Sequence, residues 1–192
     1  MVQLLPFSLD ELLKADKLPE DFDEVMFRGL YPPLYDRDLS PGDWCAGYVN
    51  TYIERDVRQL IAVRDLPAFR CFLRMCAARS GQLLNLSSLA SDCDITHNTA
   101  AAWLSVLEAS YIVYLLRPHF RNCNKRLVKT PKLYFCDTGL AAWLLGIRES
   151  GQLTAADFFA SLKKWSGLSG REGPEKQTDK SVPFMCIPEK SI

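Results

Sequence analysis

Residues 84–136 leave this chain few folding alternatives. An apolar pattern runs from Ser87 to about Cys93, with Asn85 or Ser87 placed to cap it. Cys93-Asp94-Ile95 makes a tight turn. Thr96 then caps a longer pattern that reaches about Ala109, with Trp103, Leu104, Val106 and Leu107 facing inward. A short helix, a brief turn and a longer helix have the spacing of a helix-turn-helix. Tyr111 to Leu116 is a β-rich run, broken by Pro118 and the polar stretch from Arg121 to Arg126. Lys132 to Cys136 supplies a second strand. This order predicts a mainly α fold with a small β-hairpin, in the arrangement of a winged helix-turn-helix.

The flanks are less uniform. Ser8 and Glu11 stand at capping-box spacing, so a short helix is expected from there. The rest of residues 1–43 is acidic and proline-rich and reads as an irregular lead-in, with Arg28-Gly29-Leu30-Tyr31-Pro32-Pro33 as a turn followed by extended chain. From Trp44, the residues Tyr48, Tyr52, Ile53, Val57, Leu60 and Ile61 recur at helical spacing. Asp65 caps a further helix with Pro67 in its first turn, and its stripe is Phe69, Phe72, Leu73, Cys76 and Ala77. Asp137 is placed to cap a helix that Gly146 ends, and Thr154 and Asp157 start another. Residues 166–181 are polar and glycine-containing, as in a linker.

Charge is the second constraint. The 192 residues carry 23 basic and 23 acidic side chains, which argues against a polybasic or an acidic tail protein. The balance is global and not local. Residues 1–43 hold four bases against ten acids, whereas residues 111–136 hold six bases and no acid. The acidic lead-in either shields the basic hairpin or waits, as the hairpin does, for a partner of opposite sign. No apolar run is long enough to span a bilayer, and the opening residues lack the basic start of a secretion signal. A cytoplasmic protein without a membrane partner is expected.

The seven cysteines form no CxxC pair, and neither His97 nor His119 has ligand-like neighbours. Reduced thiols are expected, with no metal, no cofactor and no catalytic residue. No GxxxxGK[ST] loop occurs anywhere in the sequence. Glu172, Glu175 and Lys176 lie in a Gly/Pro-containing stretch, whereas metal-dependent nucleases fix their carboxylates on rigid elements. The candidate nucleic-acid contacts are Thr96, His97, Asn98 and Thr99 at the start of the second helix, with Arg121, Lys125 and Arg126 on the wing. Asn98 has the groups to pair with adenine, while Asp92 and Asp94 beside the helix start would repel phosphate. The plainer alternative makes Thr96 a cap and the basic residues a solvated hairpin tip.

Several stretches carry a family resemblance. Leu5 to Leu12 (LPFSLDEL), Arg28 to Pro32 (RGLYP), Tyr48 to Val57 (YVNTYIERDV) and Lys129 to Leu140 (KTPKLYFCDTGL) follow one another in the order of one family. Together they resemble the C-terminal half of a large prokaryotic family of AAA-type ATPases. In that family an ATPase core precedes a winged-helix domain of unknown function, usually followed by a nuclease-like fold. The resemblance covers roughly residues 4–147. It implies a lead-in or connector over 1–43, a winged-helix domain over 44–147, and a helix plus tail over 148–192 as the remnant of a nuclease-like module. It further implies a truncated, non-catalytic chain that acts as an interaction module, with a protein or an ATPase core as partner. A DNA-binding winged helix is the alternative.

Overall fold

Side-chain caps decide where the helices start. The computed structural model describes residues 6–37, 39–53, 55, 65–117 and 130–155. Helix α1 (Leu9–Lys14) opens with a reciprocal capping box. The Ser8 backbone N–H donates to Glu11 Oε2 at 2.7 Å, and the Glu11 N–H donates to Ser8 Oγ at 3.2 Å. Asp21 caps α2 (Phe22–Arg28), and two prolines fill the first turn of α3 (Pro32–Asp36). Helix α4 (Pro41–Tyr48) runs into a π-helical turn at Val49–Ile53. Asp65 caps α5 (Leu66–Ala78), Asn85 caps α6 (Leu86–Asp92), Thr96 caps α7 (His97–Ala109) and Asp137 caps α8 (Thr138–Leu144). A 3₁₀ turn follows at Ser150–Ala155.

Helix ends share a device. Asp16, Asp94, Tyr111 and Gly146 adopt positive φ of 55°, 53°, 55° and 82°. The next residues (Lys17, Ile95, Ile112 and Ile147) donate their N–H groups back to Leu12, Ala90, Leu107 and Ala142. This is the Schellman stop, which satisfies helix carbonyls that would otherwise lack partners.

The fold is mainly helical with a small antiparallel sheet. Strands β1 (Val113–Leu116) and β2 (Lys132–Phe135) pair in register Val113↔Phe135 to Leu116↔Lys132. The segment before α6 lies along the far side of β2. Gly81 N donates to Leu133 O, Leu133 N to Gln82 O and Leu84 N to Pro131 O, at 2.6, 3.1 and 2.9 Å.

The main core gathers the apolar stripe of α5 against α6, α7, the sheet and α8. Phe69, Phe72, Leu73, Cys76, Leu89, Leu107 and Leu140 are fully buried within it. The Phe69 and Phe72 rings meet Trp103 edge-on, with centroids 5.3 and 5.6 Å apart. Burying side chains of this size contributes about 2–3 kcal/mol each.

The N-terminal segment differs from the irregular lead-in that its composition suggests. It holds three short helices, and Leu12, Val25 and Leu30 form a buried cluster of their own. Tyr31 and Leu34 enter the main core, and Met26 packs with Ala142, Ile147 and Leu153. The prolines at 32 and 33 begin α3 where extended chain is expected, because a helix's first turn has no use for their missing N–H groups. The stripe expected from Trp44 begins in α4 and changes to π geometry at Val49. Its continuation through Val57 to Ile61 lies outside the described residues, as do the expected start at Asp157 and the linker.

Candidate functional site

The start of α7 is built from a short polar sequence. Thr96 has extended backbone geometry, and its Oγ1 accepts the Thr99 N–H at 3.1 Å. The two threonine hydroxyls lie 2.8 Å apart and bond to each other. Thr96 and Thr99 are therefore occupied in capping, while His97 and Asn98 are exposed beside them. The helix then leaves Ser105 exposed and Ala101 and Ala102 half-buried, and buries Ala100, Trp103, Leu104 and Leu107.

Arg79 contributes here without having been singled out in the sequence. It forms an ion pair with Asp92 and also donates to Ser88 Oγ at 3.1 Å. Asp92 is thus paired with a cation, and Asp94 is the other exposed carboxylate at the turn. Arg121, Lys125 and Arg126 lie outside the described residues, so the structure places four of the seven candidate contacts.

A second arrangement joins segments far apart in sequence. Asp137 is 1% exposed. Its Oδ1 accepts the Leu140 N–H at 2.7 Å, capping α8, and its Oδ2 accepts the Leu30 N–H at 2.6 Å. The Leu30 carbonyl in turn accepts the Phe7 N–H at 2.8 Å. Arg28-Gly29-Leu30 and Asp137-Thr138-Gly139 interlock without room for side chains. A Cβ on Gly29 would lie 2.5 Å from Asp137 Oδ1, and one on Gly139 would lie 2.6 Å from the Arg28 carbonyl oxygen. Gly29 also has φ of +77°, a conformation that glycine adopts at no steric cost.

Around this knot, Tyr35 Oη donates to the Gly29 carbonyl at 2.8 Å and Arg28 Nη2 donates to the Leu34 carbonyl at 2.7 Å. Tyr31 packs on Trp44 and Tyr48, with centroids 4.5 and 5.1 Å away. Parts of three sequence stretches that looked separate, RGLYP, the start of YVNTYIERDV and CDTGL, converge here. Sequence reasoning found the Asp137 cap and missed its second partner, because a backbone N–H carries no side-chain signature. The paired glycines were the available signal.

Burial pushes the Asp137 carboxyl up to about 6, against the pull of N–H groups from Leu30, Leu140 and Gly139. Burial likewise pushes the Cys45, Cys76, Cys93 and Cys136 thiols up to about 12, so all four are protonated and weakly nucleophilic at neutral pH. Tyr31 is raised well above its usual range by the same cause. Among the described residues no group of three or more His, Cys, Asp or Glu side chains has the arrangement to hold a metal ion. No described helix is long and apolar enough to cross a membrane.

Comparison with known proteins places this geometry in a family. The chain is 35% identical over 127 residues to "Uncharacterized protein Mb2031c" of Mycobacterium bovis and equally to "Uncharacterized protein Rv2008c" of Mycobacterium tuberculosis. The alignment covers 65% of this chain but 29% of each relative's length. No solved structure matches. Residues 19–151, which include α2 to α8 and both halves of the Asp137 knot, match a family model, and the chain belongs to that family, described as "Domain of unknown function (DUF8612)".

Proposed function

We propose that this chain is a non-catalytic, winged-helix interaction module related to the C-terminal half of AAA-type ATPases, and that its partner is a protein such as an ATPase core. The observation that carries the reading is the Asp137–Leu30 bond. It fastens the segment that would follow a motor core directly to the helical domain, so a load applied at the N-terminal segment reaches α8 and the main core. A loose connector would not transmit position in this way. The exposed acids of that segment, among them Asp10, Asp16, Glu20 and Asp21, supply a surface for a basic partner. The order α5, sheet-edge segment, α6, α7, β1, β2 supports the winged-helix assignment. Light scattering on the full chain, with and without an AAA-type ATPase core from the same organism, tests the proposal. A stoichiometric complex supports it; a monodisperse chain that ignores the core counts against it.

DNA binding is the second reading, favoured by one observation. His97 and Asn98 are exposed at the first turn of a 13-residue helix whose neighbouring Asp92 is paired with Arg79. Asn98 would read a base edge, while Arg121, Lys125 and Arg126 would contact phosphates. Fluorescence anisotropy across a salt series tests it. Binding that Lys125→Ala/Arg126→Ala abolishes supports the reading, and absence of binding even at low salt rejects it.

A further inference from the structure

The sheet turns its two faces to different surroundings. Side chains alternate along a strand, and Val113, Leu133 and Phe135 are buried in the main core. Tyr114 and Leu116 of β1 therefore stand on the opposite face, with Lys132 and Tyr134 of β2. Tyr114 pairs directly with Tyr134, and Leu116 with Lys132. Leu83 bridges to Lys132 from the segment alongside β2, so it shares this face and is 52% exposed. Its neighbour Leu84 packs on the core instead. Among the described residues, Tyr114, Leu116 and Tyr134 belong to none of the buried clusters. All three are half-buried, and Lys132 is exposed.

An outward sheet face that only meets water carries polar residues. This one carries two tyrosines side by side, two leucines and a lysine. Residues directly opposite in an antiparallel pair keep their Cβ atoms about 5 Å apart, so the two rings form one continuous patch. Arg117 is exposed just past the end of β1. Residues 111–136 hold six bases and no acid, so no carboxylate of the strands or their connection opposes an anion here. A polyanion with flat apolar groups complements both features, its phosphates meeting the cations and its bases meeting the rings. A duplex hides its base faces inside the stack, whereas an unpaired strand offers them. The face has no amide or carboxylate to select a ribose 2′-hydroxyl, which favours DNA over RNA. We propose that this face binds single-stranded DNA, with Tyr114 and Tyr134 as the stacking platform and Lys132 and Arg117 as phosphate contacts. Recognition is tolerant of sequence, because every base has a π-face. The surface is distinct from the start of α7, whose polar residues would meet paired bases by their edges, and it does not depend on docking to an ATPase core.

Anisotropy of a fluorescein-labelled oligothymidylate of about twelve nucleotides, titrated with the full chain, tests the site. Saturable binding at low salt is expected. Tyr114→Leu and Tyr134→Leu keep apolar bulk but lose the π-face, and each should weaken binding about tenfold. Tyr114→Phe and Tyr134→Phe keep the ring and should bind within about twofold of the native chain. Lys132→Ala should lower the salt dependence by about one phosphate contact. Photocrosslinking of the native chain to the same oligonucleotide carrying 5-bromodeoxyuridine needs no variant. The adduct should map to Tyr114 or Tyr134. Overturning results are no binding at low salt, leucine variants that bind as the native chain does, or an adduct confined to residues outside this face. A blunt duplex or an oligouridylate of the same length that binds more tightly than the oligothymidylate would also overturn the assignment.

Discussion

Asp137 Oδ2 accepts the backbone N–H of Leu30 at 2.6 Å, across 107 residues of chain. The other oxygen of the same carboxylate caps α8 through Leu140. One buried side chain thus satisfies a helix start and a distant loop together. Asp137→Ala leaves both N–H groups without partners in a site closed to water. The expected cost is about 3 kcal/mol or more, from two unmade buried bonds. Urea denaturation followed by tryptophan fluorescence measures it. A loss below about 1 kcal/mol would mean that the knot adds little.

The same carboxylate gives the protein a pH signature. Its pKa in the folded state is raised to about 6 from an ordinary 3.8. A raised acid favours folding most when protonated, so its contribution is full below about 4 and is lost as pH rises through 6. Lowering the pH from about 7 to about 5 should therefore stabilise the native chain by roughly 1 kcal/mol relative to Asp137→Asn, which does not titrate there. Parallel denaturation of the two proteins at both pH values reads the difference directly. An unchanged gap would place the folded pKa well below 6.

The glycines opposite each other in the knot are predicted to be irreplaceable. Gly139→Ala drives a Cβ to 2.6 Å from the Arg28 carbonyl, and a backbone oxygen cannot swing away. Gly29→Ala meets Asp137 and adds backbone strain at φ +77°. Each should cost about 2 kcal/mol or more. Gly47→Ala, where a Cβ has open space within a helix, should instead raise stability by about 0.5–1 kcal/mol. Thermal melts of the three variants separate these outcomes.

Which parts of this fold were legible follows from where their signals lie. Capping depends on a side chain a few residues from its partner, so Ser8, Asp65, Thr96 and Asp137 announced their helices. The two strands showed in their β-branched and aromatic residues. The N-terminal segment misled because its acids and prolines look like linker composition. Its helices are short, and they are held by burial of Leu12, Val25, Leu30 and Leu34 rather than by amphipathic periodicity over several turns. For the candidate site, the exposed positions of His97 and Asn98 were legible from helix-turn-helix spacing. Arg79 pairing with Asp92, and Leu30 with Asp137, were not, because both are products of tertiary packing. Deleting residues 1–43 to test whether the acidic segment shields the hairpin would also strip Leu30, Tyr31 and Leu34 from the buried clusters, so such a deletion does not separate shielding from lost packing.

Asp94 offers a stabilising substitution that also bears on DNA binding. It holds φ of +53° at an exposed position, where glycine carries no steric penalty. Asp94→Gly should raise stability by about 0.5 kcal/mol. It also removes an exposed carboxylate beside His97 and Asn98. If α7 meets DNA, anisotropy at low salt should show tighter binding than the native chain. A stability gain with unchanged affinity would confine the residue's role to the turn.

The proposed function makes the fastened N-terminal segment a docking element for an AAA-type ATPase core. Sedimentation velocity of the full chain with that core, repeated with Asp10→Lys/Glu20→Lys, is the decisive experiment. Both acids are exposed, so the variant should keep the native melting temperature within a few degrees, as is usual for surface changes. A complex is expected with the native chain, weakening at least about tenfold with the variant and loosening as salt is raised. Two species sedimenting independently, or a complex indifferent to both the charge reversal and the salt, would contradict it.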